Sequence, residues 1–126
     1  MKITELIARI LLGLSMTIFG LNKFLNFIPM GEMPEAEANL MGAFAASGFM
    51  FPAIALVEII GGVLLLTNRM IGLALVILAP IIVNILLVHL FLAPAGLAIA
   101  LVQVALIGIL FYAHKEKFYP MISLKG

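Results

Sequence analysis

Four long apolar runs constrain this chain more than any other feature. Residues 6–27, 49–67, 70–92 and 97–113 each come close to the roughly 20 residues that an α-helix needs to cross a hydrocarbon core. They are apolar on all sides, which excludes the alternating polarity of barrel strands. With 65% hydrophobic and 10% charged residues and a mean hydropathy of +1.31, the chain does not fit a soluble domain. The predicted fold is an all-α membrane protein, a single four-helix transmembrane bundle over residues 1–126. The first run follows Lys2 as a secretory signal would, but no small-x-small cleavage site closes it, so it is expected to be retained as the first helix.

The basic residues predict an orientation. With both termini in the cytoplasm, Lys2, Arg9, Arg69, Lys115, Lys117 and Lys125 lie inside and only Lys23 lies towards the outside. Tyr112, Phe118 and Tyr119 then fall at the inner aromatic belt. The net charge of +1 reads as a topology signal and not as a nucleic-acid footprint, since no basic patch with interleaved aromatics exists. Absence of cysteine excludes thiolate chemistry by this chain itself.

The connections predict neighbours. Short turns at Asn68-Arg69 and at 93–96 make the second, third and fourth spans antiparallel in sequence order. The first connection, 29–48, is long enough for a short interfacial helix: Pro34 precedes Glu35 and Glu37, acids suited to the positive end of a helix dipole, and Gly48 can end it. Leu40, Met41 and Phe44 share a face, and this helix is expected to lie on the outer interface like a lid.

Glu58 is the only charge between residues 49 and 67, and an ionised acid at mid-membrane costs roughly 2.5–3.5 kcal/mol on insertion scales, so it calls for a partner. It shares a helical stripe with Gly61, Gly62 and Leu65, a face suited to close helix contact. In the first span Gly13, Met16, Gly20, Lys23 and Phe27 recur on one side. Counting a rise of about 1.5 Å per residue from the outer ends puts Glu58 at about 14 Å depth and Asn84 and Gln103 at about 12 Å, with Lys23 and His89 at about 5–7 Å. The candidate ligand-binding residues are therefore Lys23, Glu58, Asn84, Gln103 and His89. Each also has a plainer reading: Asn84 and Gln103 as interhelical glue, Lys23 as a side chain reaching the headgroups, and His89, about 140° around its helix from Asn84, as part of the outer rim. Arg9, four residues after Glu5, reads as half of a local ion pair at the inner face. Pro80 is expected to kink the third span.

No phosphate-binding glycine loop, zinc-type spacing or serine–histidine–acid arrangement is present, and His89 and His114 fall at opposite faces, so neither a metal site nor a bis-histidine haem is predicted. The segments Arg9-Ile10-Leu11-Leu12-Gly13, Gly20-Leu21-Asn22-Lys23-Phe24, Glu58-Ile59-Ile60-Gly61-Gly62 and the Arg69 turn, in that order, resemble the DoxX and DoxX-like family of small bacterial membrane proteins. The resemblance covers nearly the whole chain. It implies a four-helix fold in the bacterial cytoplasmic (inner) membrane and an association with quinone-linked sulfur oxidation or oxidative-stress complexes, but no particular reaction. Lys23 and Glu58 match the family's polar motif; Asn84, His89 and Gln103 rest on depth alone.

The expected role is a membrane subunit or accessory protein of a redox system that binds a quinone or another lipid-soluble molecule, with a redox partner protein and pairing of copies as further expectations. The alternative is a scaffold or small permeation subunit in which Lys23 and Glu58 form a structural pair. The orientation is open to direct test: a cysteine introduced at Glu35 should react with an impermeant thiol reagent from the outer side, and reaction from the cytoplasmic side alone would refute it.

Overall fold

The computed structural model describes residues 2–25 and 33–123; residues 26 and 27 of the first run, 29–32 of the first connection and Lys125 lie outside the described residues. Five α-helices follow one another: α1 (Lys2–Leu25), α2 (Glu35–Ser47), α3 (Met50–Leu66), α4 (Ile71–Phe91) and α5 (Leu97–Ala113). A 3-10 turn over Pro94–Gly96 leads into α5. α1, α4 and the unit Pro94–Ala113 are each long and apolar enough to cross a membrane. α3 has 17 residues, about 25 Å of helix, and reaches span length only together with α2, from which it is bent by 94°.

α1 packs against α3 and α5, and α4 closes the ring by packing against the same two helices. The exterior is apolar nearly throughout, with Leu11, Leu56, Ile60, Val83 and Leu101 among many exposed aliphatics, as a bundle solvated by lipid requires. The interior is an apolar cluster that includes Leu12, Met16, Leu65, Leu75, Leu78, Ile82 and Leu110. Tyr112 and Tyr119 are exposed beyond the Arg9 end of the bundle, where the sequence predicts an aromatic belt.

The α1–α3 contact is the tightest, and glycine makes it so. A Cβ on Gly13 would stand 3.0 Å from the Gly62 carbonyl, and one on Gly62 would stand 2.8 Å from both the Gly13 carbonyl and the Thr17 nitrogen. Further along, a Cβ on Gly20 would meet the Ala55 carbonyl at 3.0 Å. Gly13 facing Gly62 and Gly20 facing Ala55 define an antiparallel register, with the backbones close enough for weak Cα–H···O contacts. Gly61 points the other way and admits Leu78 of α4.

α2 is the short helix expected between the first two spans. Glu35 and Glu37 occupy its first turn behind Pro34, and Gly48 ends it at φ 78°. Glu37, Leu40, Met41 and Phe44 are half-buried while the rest of the helix is exposed, and Phe44 meets Phe51 of α3 edge-on at 6.0 Å. Ser47 holds the bend: its hydroxyl donates to the Phe44 carbonyl at 2.6 Å and accepts from the Phe49 and Met50 amides at 3.3 and 3.1 Å. It thereby satisfies donors that the start of α3 would otherwise leave bare in an apolar setting. α4 stays helical through Pro80.

Gly62→Ala should destabilise the bundle by about 1–3 kcal/mol through overpacking against the α1 backbone at Gly13 and Thr17. Gly108→Ala meets open space and should leave stability within about 1 kcal/mol of the original. Unfolding of both variants in mild detergent checks the pair.

Candidate functional site

Two buried charges sit on the α1–α3 interface, one at each end. At one end the Lys23 ammonium lies 2.6 Å from Glu58 Oε1. Glu58 is 1% exposed and its Cβ packs beside Gly20, whose missing side chain leaves room for the carboxylate. The lysine side chain is 25% exposed, so the lysine is the member of the pair that meets the surroundings. A buried carboxylate without that cation would carry its desolvation cost uncompensated.

Above the pair, between the end of α1, the inner face of α2 and the start of α3, lies a cavity of about 360 Å³. Asn22, Lys23, Met33, Met41, Gly42, Ala45 and Phe51 line it. Asn22 is buried at 8% exposure. The wall is thus apolar, with an aromatic ring and two thioethers, and its polar groups are concentrated on neighbouring residues of α1.

At the other end Arg9 is 8% exposed. Its Nε donates to Glu5 Oε1 at 3.1 Å, and one guanidinium nitrogen donates to the Leu65 carbonyl at 2.8 Å. His114 Nε2 lies 3.2 Å from the same Glu5 oxygen. The local Glu5–Arg9 pair is as the sequence suggests, but the guanidinium turns inward and also ties the last turn of α3 to α1. The positive group there complements the C-terminal end of the α3 dipole.

The other candidates lie elsewhere. Gln103 is buried at 3% exposure between α5 and α1, and its Nε2 donates to Ser15 Oγ at 3.1 Å, while Oε1 has no hydrogen-bond partner among the described residues. Ser15 precedes Gly20 by about 7.5 Å of helix, so Gln103 occupies a deeper layer than Glu58. Asn84 is exposed on α4 and donates to the Pro80 carbonyl at 2.9 Å. The expectation that it turns into the bundle is therefore corrected, because α4 presents its other side to α3 and α5. His89 Nδ1 lies 3.2 Å from the Ala93 carbonyl and its ring packs on Gly96, so it ties the α4–α5 hairpin. The structure thus joins Lys23 to Glu58 and does not bring Asn84 or His89 to them. Sequence reasoning missed Asn22, Met41 and Phe51 as cavity walls, and Ser15 and Leu65 as partners. Asn22, a polar residue next to Lys23, offered a signal, and Met41 lies on the α2 face that the sequence already sets over the outer end.

Among the described residues no group of three His, Cys, Asp or Glu side chains is placed to hold a metal. A family model described as DoxX matches residues 4–93, from α1 to the end of the α4 hairpin. No curated protein and no solved structure matches the chain.

Lys23→Met leaves Glu58 without its cation and should cost about 3 kcal/mol of stability, as should Glu58→Gln through the orphaned lysine, whereas the double variant should lose much less. Additive losses in a double-mutant cycle by thermal unfolding would show that the two groups are not coupled.

Proposed function

The chain belongs to the DoxX family, and on that premise we propose that it is a membrane subunit that holds the headgroup of a quinone-type, lipid-soluble molecule in the cavity above Lys23. The observation that carries this reading is a cavity of about 360 Å³ lined by the partly exposed Lys23, whose ammonium is paired with a buried carboxylate. A ring carbonyl can accept from the ammonium, and the carboxylate fixes where that ammonium stands. Phe51 offers a ring face, and Met33 and Met41 adapt their thioethers to the ligand outline. The isoprenoid or acyl tail leaves into the bilayer past α2. In this reading both termini are cytoplasmic, the cavity opens to the outer leaflet of a bacterial cytoplasmic membrane, and a redox partner protein supplies or removes electrons.

A second reading keeps Lys23 and Glu58 as a structural pair in a scaffold subunit. It is favoured by the direct 2.6 Å contact and by the burial of Glu58, which leaves the carboxylate no exposed edge. Ligand stabilisation separates the two. A soluble quinone analogue at about 100 times its Kd should stabilise the detergent-solubilised protein by about 2.7 kcal/mol. Ala45→Trp, which fills the cavity from its α2 wall, should abolish that gain and leave the unliganded Tm nearly unchanged. An unchanged Tm for the original chain at saturating analogue, with no lipid co-purifying, would favour the scaffold.

A further inference from the structure

Asn84 has no part in the cavity and none in the core. Counted along α4, it stands about 20 Å from the Ile71 end and about 10 Å from the Phe91 end, well inside the depth of a hydrocarbon core. Its side of the helix is exposed. Leu73, Val76, Pro80, Val83, Asn84 and Leu87 form a stripe about 100° wide, at 100° per residue, that neither α3 nor α5 covers. The bond to the Pro80 carbonyl uses one amide hydrogen and none of the capacity of Oδ1. Lipid tails can supply no partner for that oxygen or for the second hydrogen.

We propose that this face of α4 pairs with the same face of a second copy, Asn84 against Asn84, about a two-fold axis along the membrane normal. A carboxamide is both donor and acceptor, so two copies can exchange a pair of N–H···O bonds, each within a helix–helix contact whose remaining residues are apolar. Depth matching comes without further assumption: two copies inserted in the same sense carry residue 84 at the same level. A different protein would need a polar group placed there independently. The stripe from Leu73 to Phe91 contains no charged residue, so symmetric pairing sets no like charges against each other.

The natural absence of cysteine makes the test clean. In native membranes, Leu87→Cys and Phe91→Cys should each give a disulfide-linked homodimer on mild oxidation, while Ile99→Cys, exposed on α5 away from the stripe, should stay monomeric. Adding Asn84→Leu should weaken association by on the order of tenfold when the protein is diluted into lipid. Absence of a dimer at both α4 positions, equal cross-linking at residue 99, or a dimer fraction unaffected by Asn84→Leu would overturn the proposal. So would cross-linking of these cysteines to a different protein in place of a second copy.

Discussion

Close approach of α1 and α3 is the constraint on which the remainder of the molecule depends. Membrane helices gain little from hiding apolar surface from one another, since lipid is as apolar as leucine, and their association rests on backbone proximity and polar contacts. Gly13, Gly20 and Gly62 provide the proximity. The same register carries Glu58 past Gly20 to Lys23 and brings the end of α3 to Arg9.

Arg9 and Lys23 are about 21 Å apart along α1, and each closes one end of the interface in a different way. Arg9 uses its planar fork to serve a side-chain carboxylate and a backbone carbonyl together, a division that a lysine could not make as well. Lys23 uses a flexible stem to meet one carboxylate and still keep a quarter of its surface open. The first arrangement completes a helix end. The second leaves a lysine on the wall of a cavity that is otherwise apolar but for Asn22. The proposed ligand site is therefore at the Lys23 end, and α2, touching the bundle chiefly through α3, is the element that bounds the cavity there.

The pairing of Lys23 with Glu58 is legible in the amino-acid sequence because a charge in a span must be compensated and only one lysine stands at the right depth. Asn84, Gln103 and His89 show where that logic ends. Depth measures distance along a helix but not the angle around it, and a ring of four helices has an inside only once each helix has been rotated into place. Asn84 at the expected depth faces outward, and Gln103 faces inward one layer deeper than Glu58. His89 is occupied by its own hairpin. Arg9 is legible as the partner of Glu5, which is local, and illegible as the partner of Leu65, which is 56 residues away.

Sequence by itself determined that this is a membrane protein built from helices, where the short connections fall, that α2 exists and ends at Gly48, and that Glu58 needs a cation. Each of these follows from composition, run length or local backbone preference, none of which requires knowing a neighbour. Only the tertiary structure decided which helix meets which, that the cavity lies above Lys23 and not among Glu58, Asn84 and Gln103, and that α4 keeps a polar group on its open face. Those outcomes depend on helix rotation and register, and these were set by where glycine lets two backbones touch.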